Sequence, residues 1–338
     1  MATNVTFLLG AGASFEALPT IKTLTKEIGD LGIKLKGLSH EPFKNHSQVV
    51  KFANDLIWLH DTAKNHLTID TLAKKMYLRG DLLNLEKLKR TLSLFFAYRQ
   101  LSNKPLSNPL DKRYDGLLAA LLERGGPSPN PRLPENVKIL TWNYDCQIEL
   151  TARDYFEQSF EDTVVNINSY PRNRYTEQDK LPSIVHLNGI AGYYKYKDSV
   201  KVLYDLPDRD LTTNDSEILD NILYCVENPT RNDINFSEIF TFSWEQTSIA
   251  NKAIELASQI MEKTNILVVI GYSVPFFNRR VDKIIFFDKF INMGGAAKKI
   301  YFQNPGLNGS FLTSQFKINN QLIEHIEDCS QFYIPYEL

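Results

Sequence analysis

Two spacings of apolar positions alternate along this chain and divide it into blocks. Residues 5–9, Val-Thr-Phe-Leu-Leu, form a short near-continuous apolar run, the pattern of a strand buried on both faces. The run enters a glycine turn, Gly10-Ala11-Gly12-Ala13-Ser14, and a helix is expected near Pro19, because proline is tolerated in a first helical turn. From about residue 30 to residue 135 the spacing is helical. Val49, Phe52, Leu56 and Leu59 mark one apolar face; Leu85, Leu88, Leu92 and Phe95 mark another. The proline-rich stretch 125–131 closes this block as a loop. Strand patterns return at 137–140, 164–167, 184–187 and 201–204. A helix over 245–263 leads into a strand at 266–270, and a helix over 278–292 into one at 299–302. Short buried strands alternating with helices predict an α/β fold, a doubly wound parallel sheet with a helical insertion between its first two strands. The expected division is a sheet domain of residues 1–29 and 136–338 and a helical insertion of residues 30–135. No internal repeat or low-complexity segment interrupts it.

Composition narrows the classes. At 338 residues and 43% hydrophobic, the chain is long enough to bury a large core, and 23% charged residues do not suit wholesale disorder. The 38 basic and 40 acidic side chains leave a net charge of −2, so nucleic acid is expected only through a partner. Three cysteines, Cys146, Cys225 and Cys329, exclude a disulfide scaffold and a four-cysteine zinc site, and Cys225 and Cys329 read as small buried apolar residues. The apolar run at 5–9 is short and has no basic leader, and no segment approaches the roughly 20 apolar residues of a membrane span. A cytoplasmic location without membrane attachment is expected.

The glycine turn is open to two readings. Gly10, Ala11 and Gly12 let backbone approach a diphosphate, N–H groups at a helix start attract anions, and the Ser14 hydroxyl can reach a phosphate oxygen. The plainer reading is a tight strand-to-helix connection. Two nucleotide motifs are excluded by spacing. Phe15 stands where the dehydrogenase fingerprint has its third glycine, and no Gly-Lys-Ser/Thr phosphate loop is present.

Four further polar segments each follow a predicted strand: Thr141-Trp142-Asn143-Tyr144-Asp145, His186-Leu187-Asn188-Gly189, Gly271-Tyr272-Ser273 and Gln303-Asn304-Pro305. In open α/β sheets the ligand crevice lies beyond the carboxyl ends of the strands, so these segments and the glycine turn converge. Together they resemble the sirtuin (Sir2) superfamily, specifically its Sir2-like branch in bacterial antiphage defence. The resemblance spans nearly the whole chain outside the helical insertion and implies a Rossmann-like sheet. It also implies NAD as a substrate whose nicotinamide–ribose bond is broken. Gly10, Ala11, Gly12, Ser14, Thr141, Gly271, Ser273 and Asn304 match its NAD-binding positions, and Asn143, Asp145 and His186 its catalytic ones. The residue types suit that chemistry. Nicotinamide leaves from an oxocarbenium-like ribose, an uncharged amide such as Asn143 orients a water or hydroxyl, and His186 accepts a proton near neutral pH. Asp145 stabilises positive charge or caps a helix.

Departures from the family refine the reading. The deacylases' four-cysteine zinc module would follow the histidine segment, but residues 190–197 here read Ile-Ala-Gly-Tyr-Tyr-Lys-Tyr-Lys, so no zinc is expected. The deacylases' proline, phenylalanine and arginine pattern keeps only Pro19, one position early, with Ile21 and Lys22 in place of the others. The expected activity is an NAD glycohydrolase producing nicotinamide and ADP-ribose, as a regulated effector of antiphage defence. The alternatives are an NAD-dependent protein deacylase and a non-catalytic NAD or ADP-ribose sensor controlling a partner. The resemblance further implies a protein partner that restrains or activates the enzyme, and a homo- or hetero-oligomer. The helical insertion is then a lid or assembly surface, or simply a covering layer. Other clusters carry less. His40, His46, His60 and His66 lack metal-ligand spacing, and Lys87, Lys89 and Arg90, like Arg279-Arg280 and Lys298-Lys299, read as solvated helix faces. Asp205, Asp208 and Asp210 beside Pro207 read as a turn, and Phe276 to Arg279 as a border of the cofactor site.

Overall fold

The computed structural model describes residues 3–38, 46–102, 110–124, 130–173, 175–176, 179–197, 199–205, 215–227, 234–291, 298–306, 310–316 and 318–338. The chain begins with β1 (Val5–Leu9), a 3-10 turn (Ala11–Ser14), and helices α1 (Leu24–Gly37), α2 (His46–Ala63), α3 (Ile69–Leu78) and α4 (Leu82–Leu101). α5 (Lys112–Leu121) and an antiparallel pair, β2 (Glu123–Arg124) and β3 (Pro131–Arg132), precede β4 (Val137–Thr141). Next come α6 (Gln147–Phe156), α7 (Phe160–Asn166), β5 (Ser169–Tyr170) and β6 (Ile184–His186). They are followed by β7 (Tyr193–Tyr196), β8 (Ser199–Val202), α8 (Asp215–Glu227) and β9 (Ile234–Asn235). The last stretch holds α9 (Ser248–Lys263), β10 (Ile266–Ile270) and α10 (Arg279–Asp282), which runs on as a π-helix (Lys283–Ile291). β11 (Lys299–Gln303), α11 (Ser310–Phe316) and β12 (Ile323–Ile326) complete it.

Seven strands form one parallel sheet in the order β12-β11-β10-β1-β4-β6-β5. The chain passes from β1 to β4, goes out to β5 at the edge and returns to β6 between them, then resumes on the other side of β1 with β10, β11 and β12. The order therefore reverses beside β1, at the switch point where such sheets bind ligands. Register aligns Gln303, Ile270, Leu9, Thr141 and His186 across five adjacent strands.

Both faces of the sheet are covered, which explains the near-continuous apolar strands. Val5, Phe7 and Leu9 face one core with Tyr114, Leu117 and Leu118 of α5 and Ile148, Ala152 and Phe156 of α6. Leu8, Leu140, Val185 and Val269 face the other core with Leu256, Ala257 and Ile260 of α9. The α/β, doubly wound reading is correct, and the parallel strand after β1 is β4, beyond the helical block.

Two compact units divide the chain. The sheet unit comprises Met1–Ser14, Leu110–Gly189 and Thr241–Leu338; the second comprises Phe15–Pro109 and Ile190–Phe240. Within the second, the apolar faces read on α2 and α4 are buried, and β8-β7-β9 make a small antiparallel sheet. Residues 190–240 group there with the helices for visible reasons: Gln100 Nε2 donates to the Tyr204 hydroxyl at 2.8 Å, and Lys89 Nζ to the Ser237 carbonyl at 3.3 Å.

Several local expectations are corrected. Residues 164–167 do not form a strand; Val164 lies in α7, started by Ser159, whose hydroxyl accepts the Asp162 N–H at 3.1 Å. Residues 201–204 supply the end of β8 in the antiparallel sheet rather than a parallel strand. α9 starts at Ser248 because Thr247 caps it through the Ala250 N–H, while the Glu245 carboxylate accepts the Phe242 N–H instead. Lys89 is not solvated but buried, and Lys87 and Arg90 pair with Asp55 at 2.9 and 3.7 Å. His40, Asp208, Asp210, Pro207 and most of the 125–131 loop lie outside the described residues.

Candidate functional site

The turns after β1 and β10 interlock. Gly10 N–H donates to the Ile270 carbonyl at 3.0 Å, Gly12 N–H to the Gly271 carbonyl at 2.9 Å, and Ala13 N–H to the Gly10 carbonyl at 2.8 Å. A Cβ on Gly271 would stand 2.4 Å from both Ala13 N and Gly12 C, and its φ is +60°. A Cβ on Gly10 would stand 2.6 Å from the Tyr272 Cα. Glycine is required here so that two backbone turns can touch. Three N–H groups of the turn are thereby bonded within the protein. Arg113, at the start of α5, braces the same turn: its guanidinium donates to the Ala13 carbonyl at 3.0 Å while paired with Asp111 at 2.5 Å.

Ser14 is the hub of the next group. Its buried hydroxyl meets the Tyr114 hydroxyl at 2.9 Å and accepts from the Asn143 side-chain amide at 3.2 Å. Asn143 is itself placed by its backbone, whose N–H donates to the Thr141 hydroxyl at 3.0 Å. Asp145 Oδ1 accepts the Gln147 N–H at 3.2 Å, an Asx-type turn that leads into α6 from the residue before its N-cap, Cys146. Burial pushes the Asp145 carboxyl up to about 6, against the pull of the Gln147 N–H and the Ser14 hydroxyl. Tyr114, buried and near Asp145, is held well above the ordinary tyrosine range.

At the end of β6 the His186 ring is enclosed. Its Nε2 lies 2.8 Å from Glu149 Oε1, and the Ser169 hydroxyl donates to the same oxygen at 2.6 Å. Burial raises the Glu149 carboxyl, but the His186 ring and the Ser169 hydroxyl outweigh it and hold the group below its ordinary range. His186 Nδ1 and Glu149 Oε2 have no hydrogen-bond partner among the described residues. The Asn188 side-chain amide donates to the Trp142 carbonyl at 3.2 Å and ties this strand end to the end of β4.

The β10 and β11 ends join similarly. Asn304 Nδ2 donates to the Tyr272 carbonyl at 3.3 Å, and its Oδ1 accepts the Gly306 N–H at 3.1 Å; Ser273 is exposed. Below them lies a network the sequence pattern did not reveal. Trp142 and Tyr272 stack at 6.2 Å, with the indole N–H donating to Asp282 Oδ1 at 3.1 Å and the phenol to Oδ2 at 2.7 Å. Burial pushes the Asp282 carboxyl up to about 8, offset in part by these two donors.

The structure thus joins Ser14, Thr141, Asn143 and Asp145 directly. It sets His186 at the neighbouring strand end, in register with Thr141. Gly10, Gly12 and Gly271 form the floor between β1 and β10, while Ser273 and Asn304 stand further along the same row of strand ends. Glu149 and Tyr114 escaped the sequence reading because they come from helices. Glu149 sits one residue from Ile148 in an ordinary first helical turn, where acidic residues are common, and nothing in its spacing signals a partner on β6.

Among the described residues no group of three or more histidine, cysteine or acidic side chains is placed to hold a metal ion. No described helix is long and apolar enough to cross a membrane. No family model matches the chain, and no curated protein matches it. Among solved structures it is similar to that of Sir2Tm bound to a propionylated peptide, at 11% identity, covering 95% of this chain and 86% of that one, with a TM-score of 0.35. A likeness so distant carries no weight for activity.

Proposed function

We propose that this chain is a Sir2-like NAD glycohydrolase that cleaves NAD to nicotinamide and ADP-ribose. The observation that supports it best is the row of strand ends on either side of β1, where Ser14, Asn143 and Asp145 are joined and His186 follows on the next strand. Nicotinamide departs with the electrons of its bond to the ribose carbon, and a water oxygen bonds to that carbon. His186 accepts the proton that the water or a ribose hydroxyl gives up. The Asn143 amide, uncharged and held by Ser14, orients the oxygen without opposing the developing positive charge. Asp145, buried beside this group, favours that charge when ionised.

Residues 190–197 give no cysteine for an acyl-lysine module, so water is the acceptor in this reading. Regulation belongs to it as well. In this reading an enzyme that destroys NAD is held inactive by assembly or by a partner until infection, with the helical insertion of residues 30–135 as the lid or assembly surface. Incubation with NAD, with and without an acetylated peptide, tests the acceptor. Equal nicotinamide release in both, with free ADP-ribose as product, is the expected outcome. Release that depends on the peptide, with acylated ADP-ribose as product, contradicts it.

A further inference from the structure

We infer that Glu149 is a positioning residue that fixes the hydrogen of His186 on Nε2 and leaves Nδ1 as the atom that accepts the proton. This rests on the reading of His186 as the base.

Three observations meet at one oxygen. Glu149 Oε1 lies 2.8 Å from His186 Nε2 and 2.6 Å from the Ser169 hydroxyl, and both ionisable side chains are almost fully buried. A carboxylate has no hydrogen to give, so the ring nitrogen facing it carries one. The Ser169 hydroxyl donates to the same oxygen, and two donors converging on one oxygen favour the ionised form of Glu149 despite burial. In a neutral imidazole the remaining nitrogen is then an acceptor, and His186 Nδ1 has no partner within the described residues. A buried acceptor without a partner is costly, which is why such atoms are rare outside sites that receive a ligand.

The arrangement also suits the proton's arrival. When Nδ1 takes a proton from the water or ribose hydroxyl, the ring becomes an imidazolium, and Glu149 lies against its other side with opposite charge. Ser169 limits the alternatives: its hydroxyl holds the carboxylate from β5, two strands away from β4, so the carboxylate is fixed by the sheet as well as by α6. Glu149 touches no reacting atom in this scheme. It sets which nitrogen is free.

Nitrogen-15 NMR of labelled histidine reports the tautomer without reference to activity. The spectrum of the whole chain is expected to show the His186 hydrogen on Nε2; a hydrogen on Nδ1 overturns the inference by itself. Glu149→Met removes the acceptor and is expected to mix the two tautomers. It is also expected to slow nicotinamide release by about 10- to 100-fold, less than the roughly 10²- to 10⁴-fold that loss of the base itself removes. Glu149→Gln keeps an acceptor oxygen without charge; the hydrogen is expected to stay on Nε2, with a smaller loss of rate. The double variant Glu149→Met, His186→Ala is expected to be no slower than His186→Ala alone, since the two residues act through one ring. An equal further loss in the His186→Ala background overturns the inference. If Glu149→Met does not fold, Ser169→Ala replaces it, with a smaller loss of rate that likewise vanishes in the His186→Ala background. A wild-type chain that carries its hydrogen on Nε2 and releases no nicotinamide contradicts the glycohydrolase reading while leaving the tautomer assignment in place.

Discussion

The side-chain amide of Asn143 donates to the hydroxyl of Ser14 at 3.2 Å, across 129 residues of sequence. This bond couples the segment after β4 to the turn after β1. Ser14 is therefore expected to matter through Asn143 more than through any phosphate. Ser14→Ala leaves the Asn143 amide and the buried Tyr114 hydroxyl without this partner, which costs about 1–3 kcal/mol for buried polar groups. Urea unfolding should show that loss, and nicotinamide release should fall. Tyr114→Phe removes a bond to Ser14 but keeps Asn143 held, so a stability loss with a smaller change in rate is expected. Equal losses of rate in the two variants would remove Ser14 from its positioning role.

The two glycine turns make a separate prediction about packing. Gly271→Ala places a Cβ 2.4 Å from backbone atoms of Gly12 and Ala13, at a positive φ. Gly80→Ala, also at a positive φ of +72°, meets nothing within 4 Å. The second variant should lose about 1–2 kcal/mol from its left-handed backbone alone. The first should lose clearly more, with release of nicotinamide impaired as the two turns separate. Matching midpoints in a denaturant series would show that the close approach is unimportant.

Strand ends were legible because each begins where an apolar run gives way to polar residues. Residues 5–9 and 266–270 show it most plainly, as a near-continuous and a continuous apolar run that end at Gly10 and Gly271. Partners that arrive from helices were not legible. Glu149 and Tyr114 occupy first helical turns, and their periodicity reports only which face is buried. Lys89 misled for the converse reason, since a lysine in a charged stretch reads as solvated until a carbonyl from residue 237 is found against it. The 164–167 segment, rich in β-branched residues, became helical because Ser159 starts a helix and Phe160, Thr163 and Val164 share its buried face.

Asp282 predicts how stability changes with pH. Its folded carboxyl, pushed up to about 8, retains a proton that the unfolded chain, with an ordinary carboxylate near 3.8, gives up. The folded state therefore binds more protons between about pH 4 and 8, and stability falls as pH rises through that window. Asp145, raised to about 6, acts in the same direction but only up to that pH. Above pH 6.5 the remaining slope belongs chiefly to Asp282 within this pair. Asp282→Asn, which keeps an acceptor for the Trp142 indole, should flatten the fall in unfolding free energy between pH 6.5 and 8.5. An unchanged slope would mean that Asp282 is ionised throughout.

Nicotinamide release from NAD tests the central claim most directly. It should be followed for the purified chain over a range of protein and NAD concentrations. The wild-type chain is expected to release nicotinamide and ADP-ribose in equal amounts, and Asn143→Ala and His186→Ala are each expected to lower the rate by about 100-fold or more, as loss of an orienting group and of a positioned base respectively does. NAD that stays intact in every condition, or rates that are the same in the wild-type chain and both variants, would contradict it.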